Sequence, residues 1–588
     1  MNRLLLVTTM IAFLIAASGC DDIPDPSLPN EPPVAMDDSV LLLQNATVVI
    51  NVLANDIDID GDPLEITIIE EPVNGTLENN SGILTYTPSL YLIGEDEFVY
   101  QITDLVGHTS TATVTLEIAK RHSRAVFSTE NGGVLSIYTI DSRDPATLID
   151  LTQAVPAEQD ILAWEISELQ QQVLVLTDDS DGVARVLGIA FDTPAEIASE
   201  FTIDTTSGAP DGGLVVSDSG DIAVVSLANR YLIAINIIDG RITEFDTGLT
   251  EDSTLSPQFF AAQSNTAAIA GTLGSDADER GAIYTVALPA GSPQAVLDEP
   301  GTLGLPFTRL LTGLGSMLWL TIDDSDPVPS GAYSCTAPPP QVYSAPFYSL
   351  LNSTDAAADL IEASGILAAP VSVISYHGSE PGGSLVLAAC PASEELFQIV
   401  RVPYLLPSAA AVLATAEDAS DGLWNLDVAN TGSQIIYSVD GDSGFRVVSL
   451  DLSGDDPVAA DLSDTVSSYQ AYTAGMTTRV PPSVFSTDQL RWLYLVPQGD
   501  ALTGLAWLQL ESEELSTVDL PFAAANLVSD GFYAVVQGST GSPDAAPIAV
   551  IDLAQPVVTP VEIPGVVAES ISDPLNQFKS AIRLINSP

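Results

Sequence analysis

Four aspartates spaced two apart, Asp56, Asp58, Asp60 and Asp62, are the densest group of chemically capable side chains in this sequence. In an extended chain alternate residues share a face, so the four carboxylates would line one side, with Ile57 and Ile59 on the other. Crowded carboxylates repel one another unless a cation sits among them, and hard oxygen donors suit Ca²⁺. Asp104, in a later loop, is the expected further contributor to this ligand pool. The segment is not an EF-hand: counting from Asp56, the twelfth position is Thr67 rather than a bidentate glutamate. Two readings stand, a calcium site and a solvated acidic turn. Residues 21–119 contain 19 acidic residues and no Lys or Arg, so internal ion pairs do not relieve the repulsion, which keeps calcium beside the solvated turn as a reading.

The other reactive candidates are three cysteines, Cys20, Cys335 and Cys390. Cys20 follows a short basic start at Arg3 and an apolar run over residues 4–16. Thirteen helical residues rise about 20 Å, short of the roughly 30 Å hydrocarbon core, so the run reads as the apolar region of a signal peptide. Ala17-Ser18-Gly19-Cys20 resembles the lipobox of bacterial lipoproteins. That resemblance implies cleavage before Cys20 and acyl chains on its thiol and new amino terminus, a stable anchor. Such a chain lies in a bacterial cell envelope, at the outer membrane and cell surface or on the periplasmic face. In an exported chain Cys335 and Cys390 are expected to form a disulfide, worth roughly 4 kcal/mol in the chain-entropy model. Two buried free thiols are the alternative.

The elements that must position these residues are all β. Residues 20–33 carry Pro24, Pro26, Pro29, Pro32 and Pro33 and read as an extended tether. Over 34–119, short β-rich runs at 46–52, 64–69, 82–87, 97–103 and 110–118 are separated by Asp, Gly, Asn and Pro, as in a sandwich of about seven strands. Here Pro33-Val34-Ala35-Met36-Asp37-Asp38-Ser39 and Asn51-Val52-Leu53-Ala54-Asn55-Asp56 resemble the opening of bacterial Ig-like/cadherin-like domains. Asp60-Gly61-Asp62, Gly75-Thr76, Leu84-Thr85-Tyr86-Thr87-Pro88 and Gly94-Glu95-Asp96-Glu97-Phe98 continue the likeness. It implies a β-sandwich of the kind used in bacterial surface and adhesion proteins.

Residues 120–124, Lys-Arg-His-Ser-Arg, form a basic linker, and 125–588 repeat a unit of about 40–55 residues. Units start near Ile161, Gly213, Pro257, Phe307, Pro370, Leu423, Val484 and Asn526, each with the runs of four strands, which marks a β-propeller blade. Turns such as Asp218-Ser219-Gly220 and Asn430-Thr431-Gly432 make the units resemble TolB-like propellers; seven or eight blades are expected. Residues 581–585 are expected to pair with the segment after Arg124 and close the ring.

Charge narrows the partners. With 79 acidic and 16 basic residues the formal charge is −63, which repels nucleic acid and anionic lipid headgroups. Catalytic constellations are scarce: the chain has three histidines and neither a His-Glu-x-x-His nor a Cys-x-x-Cys. Gly441-Asp442-Ser443-Gly444 echoes the nucleophile loop of chymotrypsin-like proteases. A triad needs a histidine base, and His377 stands without that family's histidine motif, so the segment reads as a hairpin loop. Trp424 and Trp507 are expected to pack between blades. The expected function is a lipid-anchored, non-enzymatic binding or adhesion scaffold for a protein or glycan ligand, with calcium in the sandwich. The alternative is an exported propeller enzyme acting on a glycan or small molecule.

Overall fold

The computed structural model describes residues 30–131 except position 81, and from 134 onward the strands with many of their connections. The longer stretches outside it are 1–29, 298–308, 321–346, 350–359, 362–370 and 568–581, and between 253 and 385 it describes strand backbone alone. Among the described residues regular structure is strand, apart from 3₁₀ turns at Val52–Ala54 and Leu151–Ala154. The chain divides into two compact units, Met1–Arg121 and His122–Pro588.

The first unit is a sandwich of seven strands. They are β1 (Asp38–Leu43), β2 (Val48–Ile50), β3 (Glu65–Glu70), β4 (Gly75–Asn80), β5 (Ile83–Pro88), β6 (Gly94–Thr103) and β7 (Thr109–Ala119). One sheet has the order β1-β7-β6-β3 and the other β2-β5-β4; β1 runs parallel to β7. Strict alternation on the long strands builds the core, because period two sends every second side chain inward. Phe98, Tyr100 and Ile102 of β6 meet Ala112, Val114, Leu116 and Ile118 of β7, and Leu84 and Tyr86 of β5 close from the other sheet. Asp96, also buried, accepts the Val73 and Asn74 N–H groups at 3.1 and 3.0 Å and the Tyr86 hydroxyl at 2.9 Å. Gly75 lies under that ring: a Cβ there would sit 2.4 Å from it. The runs legible in the sequence correspond to five strands; β1, with its unbroken Val-Leu-Leu-Leu, and the polar β4 carry no alternation to reveal them.

The second unit is a β-propeller. Eight sheets of four consecutive antiparallel strands follow one another at 159–203, 210–246, 253–297, 309–361, 371–415, 422–461, 483–519 and 524–564. Each starts within four residues of a unit start expected from the sequence. A further sheet joins the chain ends: His122–Asn131, Val134–Asp141 and Ile149–Asp150 are completed by Val566–Val567 and Ile582–Ser587, both paired with His122–Asn131. The described residues of this unit therefore hold eight sheets of four consecutive strands and one composite sheet of five that joins the chain ends.

The middle strands explain the stacking. In Gln172–Asp179, Leu174 and Leu176 pack with Leu214, Ala223 and Val225 of the following sheet. Val173 and Val175, between them in sequence, pack with Val126 and Ile137 of the preceding one. Arg491–Gln498 does the same: Trp492 and Tyr494 join Ile436 and Val447, whereas Leu493 and Leu495 join Ala534 and Val536. Trp507 packs in the latter cluster, between sheets as expected. Polar links cross the same gaps: Ser167 Oγ donates to Gly220 O at 2.8 Å and Arg491 Nη1 to Gly531 O at 2.6 Å.

First strands lie side by side from the 159–203 sheet to the 253–297 sheet and again from the 371–415 sheet to the 524–564 sheet, and 524–529 lies beside 582–587. The C-terminal strand thus takes the first-strand place of the composite sheet, with Ile582 opposite Phe127 and Ser587 opposite His122. Ser123 Oγ also donates to Asp530 across this junction. Removing residues 582–587 deletes six register pairs and bares an edge, at about 1 kcal/mol per net hydrogen bond. The large unit's calorimetric transition should fall by many degrees while the sandwich transition stays in place; an unmoved large-unit transition would show that closure does not depend on this strand.

Candidate functional site

Carboxylates gather at the end of the sandwich where residues 30–36 run beside the loops 55–63 and 104–108. Val34 and Ile57 exchange backbone hydrogen bonds at 2.8 and 3.0 Å. Glu31 N–H donates to Asp60 Oδ2 at 2.7 Å, and Asn30 Nδ2 to Asp104 Oδ2 at 2.6 Å. The loop does not run extended through its aspartates. Asp58 Oδ1 accepts the N–H groups of Asp60 and Asp62 at 3.0 and 3.1 Å, and Gly61 takes φ +75°, so the chain turns there.

The turn divides the expected ligand pool. Asp56 points inward, accepting the Met36 N–H at 2.7 Å and facing the Tyr100 hydroxyl at 3.0 Å. That hydroxyl has one proton and also lies within reach of Asp38 Oδ2, Met36 O and Val52 O. Burial, then the Asp56 and Asp38 carboxylates, push the Tyr100 phenol up. Burial likewise raises Asp38, with the Tyr100 hydrogen bond opposing it and Asp56 adding to it. Asn55 Oδ1 is buried without a partner beside this cluster's residues in sequence.

Asp58, Asp60, Asp62 and Asp104 form the other group. Desolvation raises the Asp62 carboxyl, and the charges of Asp58, Asp104 and Asp60 raise it further. Asp104 is enclosed. Burial pushes its carboxyl up, but the N–H groups of His108, Gly107 and Val106 and the His108 ring together outweigh this and hold it below the usual range. Those three N–H groups reach Oδ1 at 2.8, 2.6 and 2.9 Å. Asp58 Oδ2 is buried with no hydrogen-bond partner. Among the described residues, no three Asp, Glu, His or Cys side chains converge closely enough to hold a metal ion. The oxygens of Asp56 and Asp104 are already engaged; Asp58, Asp60 and Asp62 are the members with capacity left. Tyr100 was not among the candidate site residues because a tyrosine in an alternating strand reads as core, and Asp38 and Asn55 entered only as part of the Ig-like likeness.

Cys20, Cys335 and Cys390 lie outside the described residues, as does the side chain of His377. Around Gly441-Asp442-Ser443-Gly444 the strands pair up to Gly441 opposite Gly444, which makes the segment a two-residue hairpin link. The large unit has its own buried carboxylate at Asp427 on Gly422–Val428. Its Oδ2 accepts Ser483 Oγ at 2.5 Å, Trp492 Nε1 at 2.8 Å and Asn425 Nδ2 at 2.9 Å. Ser483 and Trp492 belong to the next sheet, so the carboxylate ties two sheets together.

Residues 30–117 match the family model described as a bacterial Ig domain. No curated protein matches the chain. Among solved structures, Sqt1 of Saccharomyces cerevisiae is similar at TM-score 0.33 and 10% identity, over 69% of this chain and 97% of that one. The β-propeller domain of Cps50 (Swd1) from Myceliophteria thermophila gives TM-score 0.27 and 12% identity over 67% and 93%. An oligogalacturonate lyase in complex with manganese gives 0.32 and 8% over 76% and 96%. At these scores the likenesses bear on neither ligand nor activity.

Asp427 supplies a pH test. Burial raises its carboxyl, with the donors Ser483, Trp492 and Asn425 opposing incompletely. The folded state therefore holds this proton more tightly than the unfolded chain. The resulting stability is full below the ordinary aspartate pKa of about 3.9 and is lost as pH rises through the folded value. Asp427→Ala should cost about 1–3 kcal/mol by stranding its donors. Asp427→Asn should cost less at pH 7, and native protein should gain on it as pH falls towards 4. Equal losses for both variants, independent of pH, would show that the charge plays no part.

Proposed function

We propose that this protein is a lipid-anchored binding scaffold of a bacterial cell envelope, exported by its N-terminal segment and held through Cys20. The match of residues 30–117 to a bacterial Ig domain carries this reading. The uses of its polar residues support it: Asp96 and Asp104 hold loops of the sandwich, while Asp427 and Arg491 hold neighbouring sheets. Such groups build rigid surfaces, and rigid surfaces suit binding a protein or glycan without chemical turnover. A disulfide between Cys335 and Cys390 is part of the same reading, because an envelope location is oxidising.

In its native bacterium, Cys20→Ser should release the chain from the membrane fraction. Photo-cross-linkers at exposed positions, Ile59 and Val73 on the sandwich and Ile238 and Val557 on the propeller, should trap a discrete partner. A chain that stays membrane-bound after Cys20→Ser contradicts the anchor, and the absence of a discrete adduct from all four positions contradicts the scaffold.

Calcium belongs to this proposal as a stabiliser of the 58–62 turn. A cation that drew Asp58, Asp60 and Asp62 together would engage the unpartnered Asp58 Oδ2 and offset the repulsion that contributes to raising Asp62. Binding that is confined to the folded state stabilises by about 2.7 kcal/mol at a hundredfold excess over Kd. The sandwich transition of the full chain should rise in millimolar calcium more than in magnesium at equal ionic strength, and Asp58→Asn with Asp60→Asn should abolish the difference. Equal transitions in both ions would leave a solvated turn.

A further inference from the structure

The same end of the sandwich exposes apolar side chains out of proportion to its size. Ile57 is 57% exposed, Ile59 77%, Leu105 71% and Val106 66%, with Val34 at 54% and Met36 at 46%. They belong to one end of the sandwich. Val34 is paired with Ile57, and Asp104, which Leu105 follows, lies close enough to Asp62 to perturb it. Aliphatic tips on two adjacent loops stand beside Asp58, Asp60 and Asp62, in a unit without a single Lys or Arg between residues 21 and 119. The core does not require these tips: its interior is formed by Phe98, Tyr100, Leu84 and their neighbours, and none of the exposed tips belongs to it.

From this surface we infer that the end formed by residues 55–63 and 104–108 docks a cationic, apolar polypeptide segment, one in which Leu-, Ile- or Val-like side chains are flanked by lysine or arginine. The inference deepens the scaffold reading and rests on it. Charge complementarity selects the occupant. In the absence of calcium, lysine or arginine would meet carboxylates that no Lys or Arg of the sandwich neutralises, while apolar residues would cover the four loop tips, and both effects favour association. An anionic lipid surface is repelled by the same carboxylates. Unlike an aromatic platform, aliphatic tips offer a sugar ring no stacking face.

The test uses the full chain from Cys20 onward, in calcium-free buffer at fixed ionic strength. Its probes are two synthetic peptides of equal length and charge, one alternating leucine with lysine and one alternating serine with lysine. The native chain should bind the leucine peptide at least about tenfold tighter, some 1.4 kcal/mol. The variant Ile57→Ser, Ile59→Ser, Leu105→Ser, Val106→Ser should lose that margin, bind the serine peptide as the native chain does, and keep the native sandwich transition. A margin that survives the four substitutions places binding elsewhere, and no margin in the native chain leaves only general charge attraction; either overturns the proposal. Binding to phosphatidylcholine vesicles that depends on the four residues, without a peptide margin, overturns it in favour of a membrane surface. A partner cross-linked from Ile238 or Val557 but not from Ile59 removes this docking surface while leaving the scaffold standing.

Discussion

A sheet whose two faces are both apolar cannot be stable without a neighbour on each side, and the large unit is built from such sheets. Along Val173-Leu174-Val175-Leu176, successive side chains enter different cores, one shared with the sheet before and one with the sheet after. Trp492-Leu493-Tyr494-Leu495 repeats the arrangement. Each such side chain, fully buried, is worth about 1.5–3 kcal/mol relative to exposure. A linear stack would leave an apolar face bare at both ends. The C-terminal strand's place beside His122–Asn131, together with the Ser123–Asp530 hydrogen bond, follows from that requirement.

Acid excess imposes the second constraint. The sandwich has no Lys or Arg to neutralise its carboxylates, and apart from His108 beside Asp104 backbone N–H groups do the work instead. Asp104 takes three of them, Asp58 two, and Asp96 those of Val73, Asn74 and Glu97. Hydrogen bonds to an ionised acceptor are among the stronger ones, so the loops are fixed by the very residues that burden the unit electrostatically. Buried phenols play the complementary part: Tyr86 and Tyr100 bring hydroxyl donors to Asp96 and Asp56. In the large unit Arg491 reaches the next sheet and Arg446 bridges Glu417 and Asp421.

These two constraints also separate what is committed from what is free. Asp96, Asp104 and Asp427 have their hydrogen-bonding capacity engaged in holding structure. Asp58 Oδ2 has not, and the apolar tips around it face solvent. At that end an unpartnered carboxylate oxygen and exposed apolar side chains occur together.

The sequence by itself determined the class of each unit and the positions of the repeats. Period-two alternation in β6 and β7, turn residues at regular spacing, and eight apolar four-strand units are local signals, and a local signal survives in one dimension. The pairing of residues 582–587 with 122–127 was legible too, because a ring of sheets needs its ends joined. The tertiary structure alone decided the division of the aspartates. Alternate spacing suggested one face, but the Asp58 turn and the Tyr100 hydroxyl draw Asp56 inward and leave Asp58, Asp60 and Asp62 outside. Tyr100 comes from a strand 44 residues away in sequence, and Asp427 meets Ser483 across 56. Partners so distant leave no periodic trace; only the packing of one element on another brings them together.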